Sequence, residues 1–252
     1  MLNYSTSEEN YIKAIFHLQG PDATVTTNEL SRELKTKPAS VTDMMKKLKT
    51  KKLLHYQPYR GFRLSNEGCK VALGIIRRHR LWEYFLSEKL KFSWDEVHEV
   101  AEHLEHVSSK KLIDKLDEFL GFPSTDPHGD PIPDIHGKIK TNQQFCLSLL
   151  GVNKQATVCH VADQSTEMLE LLKHKNISIG TRLEVKKKFD FDHSMEISIL
   201  SRSPNAADRK IRQSKRTPSE YPSFNISEQL AQNIFVTTPL SPSTEGEGKR
   251  NK

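Results

Sequence analysis

Apolar residues recur every three to four positions through most of the first 120 residues, which is the spacing of helices that bury one face. The first such stretch, TSEENYIKAIFHL, places Tyr11, Ile15 and Leu18 on one face. Thr6 and Glu9 have the spacing of a capping box, in which each residue bonds the backbone of the other. The pattern predicts an amphipathic helix that begins near Thr6 and ends near the sequence QGPD.

Two further helices with a short break between them predict a helix-turn-helix. Thr26 and Glu29 form a second capping box at the start of TTNELSREL. The sequence KTKP interrupts the pattern, and a third helix is expected to begin at Pro38 because proline is favoured at the first helical position. The residues of this third helix that are predicted to face the core are Val41, Met44, Met45 and Leu48.

The opposite face of the third helix is small and polar at its start and basic at its end, as in a helix that reads DNA. Small side chains can approach base edges, while lysines reach phosphates. Residues 37 to 52 contain six lysines and one acidic residue. We expect Ser40, Thr42 and Asp43 to lie nearest the bases. The full set of predicted DNA contacts in this motif is Thr27, Lys37, Pro38, Ala39, Ser40, Thr42, Asp43, Lys46 and Lys47.

The stretch LLHYQPYRGFRLS reads as two short strands around a Pro-Tyr-Arg-Gly turn. Arg60 and Arg63 lie near the tip of this hairpin, where they could contact the DNA backbone or the minor groove. A winged helix-turn-helix is the economical description. The alternative is a small three-helix domain with an ordinary lysine-rich surface.

Residues 65 to 120 are predicted to be helical, with one long helix in GCKVALGIIRRHRLWEYFLSEKL and one or two more up to Leu120. Their apolar stripe continues through Leu112, Leu116, Phe119 and Leu120, which a single small domain would struggle to bury. A homodimer through residues 68 to 120 is therefore predicted. The following GFPSTDPHGDPIPD is expected to be a linker or a rigid turn.

Residues 139 to about 238 have a different character, with short strand candidates in TRLEVKKKF and SMEISIL and a short helix in TEMLELLKHKNISIG. They predict a small β-barrel. The polar stretch from residue 202 to 223 carries five basic residues between Arg209 and Arg216, and we expect a mobile loop that is either a solvated insertion or a second DNA contact. The last residues, 239 to 252, are expected to be disordered.

Composition narrows the class of protein. The 252 residues suffice for two or three small domains, and a net charge of +6 fits a polyanionic partner without requiring one. No apolar run reaches the length of a membrane span, and the N-terminus lacks the pattern of a secretory signal, so a cytoplasmic protein without a membrane partner is expected. Cys69, Cys146 and Cys159 are widely spaced and form no CxxC pattern, which indicates reduced thiols.

The stretch VHEVAEHLEHVSS is dense in metal-ligating side chains. In a helix, His98, Glu102, Glu105 and His106 would share one face. His79 and Glu83 form a second such pair four residues apart in RRHRLWEYF. Carboxylates and imidazoles without thiolates suit Mn(II) or Fe(II) better than a structural zinc site. The alternative is a solvated helical face with ion pairs.

With these motifs the sequence resembles the DtxR/MntR family of metal-dependent transcriptional repressors over roughly residues 5 to 238. The resemblance rests on EENYIKAI, ELSRELKTKPASVTDMMKKL, YRGFRLSNEG, RHRLWEYFL, VHEVAEHLEHVSS and DPHGDPIP. It implies a mainly α chain in four parts. These are a winged helix-turn-helix (1–68), a helical metal-binding and dimerisation domain (69–138), a small SH3-like β-barrel of the FeoA type (139–238) and a disordered tail (239–252).

The resemblance also implies the metal ligands. His79, Glu83 and His98 would form one cluster, and Asp163 of the last domain would add a ligand, with Gln164 and Glu167 as weaker candidates. Two residues of the N-terminal helix depart from the family pattern: Asn10 offers a neutral ligand, and Lys13 stands where manganese-type members offer a carboxylate. The implied second cluster consists of Glu102, Glu105 and His106, closed by Asn10.

The function implied is a metal-responsive repressor that binds operator DNA as a dimer and controls metal-uptake genes. Mn(II) is the expected ion because Glu102 stands where iron-type members carry a cysteine. Fe(II) is the alternative, and Zn(II) can bind in the test tube. An enzyme acting on a small organic substrate is not expected. The remote rival, a di-metal hydrolase using His79, Glu83, His98 and Glu102, lacks a positioned nucleophile or acid-base group in the sequence.

Overall fold

The computed structural model describes residues 4–20, 24–57, 60–107, 109–140, 143–201 and 223–238. It divides into two compact units, residues 1–141 and 142–252. The expected basic loop, apart from its last residue, and the expected tail lie outside the described residues.

Helix α1 spans Thr6–Leu18, and its capping box is formed by Ser5 and Glu8 rather than by Thr6 and Glu9 as predicted. The Ser5 hydroxyl accepts from the Glu8 backbone N–H at 3.3 Å, and the Glu8 carboxylate accepts from the Ser5 N–H at 2.8 Å. The prediction was wrong by one residue because both pairs fit the capping-box pattern and only backbone geometry decides between them: Ser5 is extended, and Thr6 is already helical. Glu9 is consequently available for contacts with another helix.

The helix-turn-helix consists of α2 (Thr27–Glu33) and α3 (Pro38–Thr50), with the predicted Thr26–Glu29 capping box in place. Proline stands at the predicted start of α3. Val41, Met45 and Leu48 are buried in the core of the domain, and Met44 is half-buried. The face predicted to point outward is exposed at every position, namely Ala39, Ser40, Thr42, Asp43, Lys46 and Lys47.

The wing is an antiparallel hairpin of β1 (Leu54–Gln57) and β2 (Gly61–Leu64). Val25 forms an isolated antiparallel bridge with the hairpin, because its backbone exchanges two hydrogen bonds of 2.8 Å with Phe62. Gly61 has a φ of +120°, and a Cβ there would lie 2.4 Å from the Val25 carbonyl oxygen. Only glycine allows these two backbone segments to approach this closely.

The remainder of the first unit contains α4 (Asn66–Glu88), α5 (Val97–Leu104) and α6 (Lys110–Leu120). Helices α5 and α6 pack on α4 through small apolar clusters. A buried ion pair of 2.6 Å between Arg77 and Asp117 also joins α6 to α4. These contacts place the histidines and glutamates of α4 and α5 side by side.

The proline-rich segment after α6 packs on α4 as a turn, which favours a turn over a linker. Arg77 donates to the Pro133 carbonyl at 2.7 Å, and Arg80 donates to the Pro131 carbonyl at 2.6 Å. Asp126 and His128 are buried, and the Asp126 carboxylate accepts from the His128 backbone N–H at 2.8 Å. The turn therefore places an acid and a histidine against α4.

The second unit is built on a six-stranded antiparallel sheet in the order β3-β8-β4-β5-β6-β7. Among the described residues β3 and β7 pair with no further strand, so the predicted closed barrel is not confirmed. The chain is thus helical in its first unit and mainly sheet in its second. The elements are β3 (Phe145–Cys146), a 3-10 helix (Leu147–Leu149), β4 (Gln155–Val161), α7 (Thr166–His174), β5 (Arg182–Lys188), β6 (Met195–Ser201), β7 (Ser223–Ile226), α8 (Glu228–Asn233) and β8 (Ile234–Thr237).

All three cysteines are free thiols. In the described part of the chain, no helix combines the length and apolarity needed to cross a membrane.

Candidate metal centre

Helices α4 and α5 bring together His79, Glu83 and His98, which we call the first ligand group. His79 and Glu83 face the same way because they lie one turn apart on α4. One carboxylate oxygen of Glu83, Oε1, lies 2.9 Å from His79 Nε2 and 3.2 Å from His98 Nδ1. The two ring nitrogens are 3.2 Å apart. One oxygen and two nitrogens thus converge on one point.

A second ligand group consists of Glu83, which was predicted as a ligand, and of Asp126 and His128, which sequence reasoning missed. All three are buried, and each offers one ligand atom within 4.8 Å of the others. Glu83 belongs to both groups, because its other oxygen, Oε2, lies 3.9 Å from His128 Nδ1. The sequence signal was the motif DPHGDP, in which a histidine stands among acidic residues in a proline-rich turn.

The tautomer of His128 makes its Nδ1 atom a candidate metal ligand. Nε2 lies 2.8 Å from the Trp94 carbonyl oxygen, which only accepts hydrogen bonds, so Nε2 carries the proton. In the neutral ring, Nδ1 then presents a lone pair. It is buried and has no hydrogen-bond partner in the described part of the chain. A buried polar atom without a partner is costly unless something binds it, and a cation would do so.

Arg80 partly compensates the acidic residues of the turn. Its Nε lies 3.6 Å from Asp126 Oδ2, and its Nη2 lies 3.3 Å from Asp130 Oδ1. Burial nevertheless raises the pKa of Asp126 well above its usual range, and the neighbouring Glu83 charge raises it further. A cation bound beside Asp126 would offset the cost of burying its charge.

In the first ligand group, hydrogen bonds outweigh the effect of burial on the pKa values. Burial alone would raise the pKa of Glu83, but hydrogen bonds from His79 and His98 lower it. Burial would likewise lower the pKa of His79, but hydrogen bonds to Glu105 and Glu83 outweigh this and raise it to about 9. The imidazole of His79 thus contacts Glu105 through one nitrogen and Glu83 through the other. Three imidazoles and two carboxylates, without a thiolate, form a donor set that fits Mn(II) or Fe(II).

Glu102 and Glu105, predicted as ligands of another cluster, instead meet the ammonium group of Lys13 from α1. The Lys13 Nζ lies 2.7 and 2.9 Å from the two oxygens of Glu105 and 3.1 Å from Glu102 Oε1. The Glu105 side chain is 0% exposed. We call these three residues the α1–α5 cluster.

His106, the third predicted ligand there, pairs with Glu9 of α1 through a contact of 2.6 Å between Nδ1 and Oε2. The other oxygen of Glu9 accepts from Arg78 at 2.7 Å. Asn10, which was expected to close the cluster, is half-buried beside Glu9. In the described residues, neither Glu102 nor His106 belongs to a group of three histidine, cysteine, aspartate or glutamate ligands.

Asp163 lies in the second unit, in the exposed connection between β4 and α7. Its Oδ1 accepts from the Ser165 backbone N–H at 2.9 Å, which forms a local turn before α7. The assignment of Asp163 as a metal ligand stays a prediction.

The predicted DNA-binding face of α3 carries internal contacts as well. Lys46 pairs with Asp43 at 3.1 Å, and the Thr42 hydroxyl donates to the Pro38 carbonyl at 3.0 Å. Thr27 is half-buried at the start of α2, and Lys37 is exposed just before α3. On the wing, Arg60 is exposed and Arg63 is half-buried.

Glu8 of α1 joins that helix to the recognition helix. Its Oε1 lies 3.2 Å from Lys47 Nζ and 2.6 Å from Lys51 Nζ. Burial would raise the pKa of Glu8, but hydrogen bonds from Lys51, from the Ser5 N–H and from Lys47 lower it to about 2. Helix α1 thus contacts α3 through Glu8 and contacts α4 and α5 through Glu9 and Lys13.

Two sequence families match the first part of the chain. The family described as "Iron dependent repressor, N-terminal DNA binding domain" matches residues 3–62. The family described as "Iron dependent repressor, metal binding and dimerisation domain" matches residues 65–134. Together the two matches cover just over half of the 252 residues.

Two named proteins illustrate the similarity. The iron-dependent repressor IdeR of Mycobacterium leprae is 29% identical over 127 residues, which are 50% of this chain and 55% of IdeR. The HTH-type transcriptional regulator MntR of Oceanobacillus iheyensis is 30% identical over 138 residues, which are 55% of this chain and 92% of MntR. The chain therefore matches about half the length of IdeR and nearly all of MntR.

Solved structures resemble nearly the whole chain. A manganese-dependent transcriptional repressor in complex with manganese has a TM-score of 0.74 at 29% identity, covering 92% of this chain and 100% of that one. ScaR with bound Cd²⁺ has a TM-score of 0.69 at 25% identity, covering 92% and 99%.

Proposed function

This chain belongs to the DtxR/MntR family of metal-dependent transcriptional repressors, and from that premise we propose that it binds operator DNA as a homodimer when a divalent metal ion is bound. The observation that carries the proposal is the pair of ligand groups that share Glu83. In one of them, His128 Nδ1 faces Glu83 and has no hydrogen-bond partner among the described residues. Family membership alone would leave open whether this chain keeps a metal centre. The arrangement of five nitrogen and oxygen ligands supports one.

DNA contact is proposed for α3 and the wing. Ser40, Thr42 and Asp43 are exposed at the start of α3 and are proposed to approach base edges. To do so, the Thr42 hydroxyl has to exchange its bond to the Pro38 carbonyl for one to a base. The residues proposed to contact phosphates or a groove are Lys46, Lys47, Arg60 and Arg63.

A second copy of the chain is the proposed partner of α6. Leu112 is 42% exposed and Phe119 is 64% exposed, although both lie on the apolar stripe of this helix. Phe122, just after the helix, is 68% exposed. Large apolar side chains exposed on and just after one helix indicate a surface that another subunit covers. The second unit, proposed to be an SH3-like domain, would modulate this dimer rather than create it.

Mn(II) is the proposed ion, with Fe(II) as its competitor. Support comes from the hard carboxylate oxygens of Glu83 and Asp126 combined with imidazole nitrogens. Zn(II) can bind such a set more tightly in the test tube, so selectivity is expected in the activation of DNA binding rather than in affinity. A bound divalent ion would supply positive charge beside the buried carboxylates of Glu83 and Asp126.

Ion pairs are proposed to transmit the state of the centre to the DNA. His79 contacts Glu105, Glu105 contacts Lys13 on α1, and Glu8 of the same helix contacts Lys47 on α3. A metal ion that moves or orients His79 would act through these contacts on α1 and on the recognition helix. Metal and operator must strengthen each other's binding equally, because the coupling free energy is reciprocal.

The test compares DNA affinity with Mn(II) and with a chelator, using duplexes selected from a random pool in the presence of Mn(II). His98→Ala should abolish the metal response, because His98 lies in the first ligand group. His103→Ala is the matched control, since His103 is an exposed histidine on the same helix. An unchanged affinity in the chelator would overturn the proposal. A metal-dependent hydrolase, the other class considered, has no support from the family, whose members are repressors.

A further inference from the structure

The α1–α5 cluster is filled by a cation that belongs to the chain. An ammonium group has three protons to donate, and the Lys13 ammonium has three carboxylate oxygens within 3.1 Å, two from Glu105 and one from Glu102. The Lys13 side chain is only 16% exposed. The ammonium group therefore already occupies the position between the two carboxylates.

The remaining predicted ligand of this cluster also has a different partner. His106 directs Nδ1 at Glu9, and Arg78 binds the other oxygen of that carboxylate. The other ring nitrogen of His106, Nε2, lies 3.7 Å from Glu105 Oε1, so His106 could face an ion there and keep its contact with Glu9. Lys13 could not, because a divalent ion at Glu102 and Glu105 would have to displace its ammonium group. Like charges at this distance repel strongly away from bulk water, so the ion and the ammonium cannot share the cluster.

We propose that in this chain the ammonium group of Lys13 replaces a metal ion in the α1–α5 cluster, so that α1 is joined to α4 and α5 without metal. Among the described residues, the metal response then originates in the two ligand groups around Glu83. This inference rests on the proposed function for the existence of that centre, but its claim concerns a different set of residues.

Lys13 is also a positioning residue for the centre, acting through Glu105. Oε2 of Glu105 lies 2.6 Å from His79 Nδ1, and His79 presents its other nitrogen, Nε2, to Glu83 and His98. A carboxylate on one ring nitrogen of a histidine fixes the tautomer and the orientation in which the other nitrogen binds a metal. Lys13 holds that carboxylate by both oxygens.

The experiment counts Mn(II) bound per chain by equilibrium dialysis, with the free ion measured by electron paramagnetic resonance. Lys13→Glu should add one bound ion, because it removes the ammonium and adds a carboxylate. Adding Glu102→Gln should abolish that extra ion. Glu102→Gln in the wild-type background should leave the count unchanged. Lys70→Glu is the matched control, since it makes the same charge change at an exposed site on α4.

The outcomes separate this inference from the proposed function. If wild type binds Mn(II) and Glu102→Gln removes one ion from it, the α1–α5 cluster is a metal site and the inference is wrong. A wild type that binds no Mn(II) at all would overturn the proposed function, while an ion gained by Lys13→Glu and lost with Glu102→Gln would still support the replacement. An unchanged count in both Lys13→Glu and Lys13→Gln, each shown to be folded by circular dichroism, would also overturn the inference.

The positioning role has a separate readout. Lys13→Gln should weaken Mn(II) binding at the remaining centre by roughly tenfold, the loss expected when a contact that orients a metal ligand is removed. Lys13→Arg should restore the affinity, because a guanidinium can bind both oxygens of Glu105. Equal affinities in all three proteins would refute this role.

Discussion

Replacing Glu8 by glutamine tests whether α1 is coupled to the recognition helix by charge. The Glu8 carboxylate is buried at the start of α1, where it contacts Lys47 on α3 and Lys51 just after that helix. Glutamine keeps the size and can still accept from the Ser5 N–H, but it removes the negative charge. The variant should therefore fold and lose stability specifically through the two ion pairs.

The magnitude follows from the pKa of Glu8, which falls from its ordinary value of 4.5 to about 2 in the folded protein. A shift of about 2.5 units corresponds to roughly 3.4 kcal/mol at neutral pH, at 1.36 kcal/mol per unit. Because Lys47 is 54% exposed, solvent screens part of this, and roughly 2 kcal/mol is expected. For a lowered pKa this stability is fully present above pH 4.5, decreases as the pH falls, and is lost near pH 2.

The assay is urea unfolding of the full chain followed by tryptophan fluorescence between pH 7 and pH 2.5. Wild type should exceed Glu8→Gln in stability by roughly 2 kcal/mol at pH 7, and the difference should shrink below pH 4.5. Glu67→Gln is the control, because the Glu67–Lys70 pair is exposed and should contribute less than about 0.5 kcal/mol. A difference that does not change with pH would show that Glu8 stabilises the domain by packing and not by charge.

Three further predictions concern the centre, the DNA and the dimer. Because the pKa of His79 is about 9 and a metal ion must displace its proton, the apparent Mn(II) affinity should rise about tenfold per pH unit from pH 6 to 8 and level off above 9. Glu105→Gln should flatten this rise. A pH-independent affinity measured by calorimetry would contradict the prediction. Lys47→Ala should weaken binding to all duplexes and reduce the slope of log affinity against log salt by about 0.9, whereas a changed operator preference at constant slope would refute a phosphate contact. A chain ending at residue 140 should still sediment as a dimer with metal present; a monomer at micromolar concentration would contradict dimerisation through α4 to α6.

Local patterns in the sequence determined much of the first unit. The three-to-four spacing of apolar residues and the Thr26–Glu29 capping box were sufficient to predict α2, α3 and the exposed face of α3. The same periodicity placed His79 and Glu83 one turn apart on α4. These features are predictable because hydrogen bonds and side-chain neighbours within a helix connect residues at most four positions apart.

The contacts that define the site were decided by the tertiary structure. Capping-box spacing could not distinguish Ser5 from Thr6 as the cap of α1, and that one-residue difference leaves Glu9 to pair with Arg78 and His106. The other decisive contacts join residues far apart in the chain, such as Glu83 with His128 and Lys13 with Glu105. The packing of helices and turns decides whether a histidine or carboxylate binds a metal ion, a proton or a lysine. Charges act through space and leave no periodic signal along the chain, so the sequence alone does not show this choice.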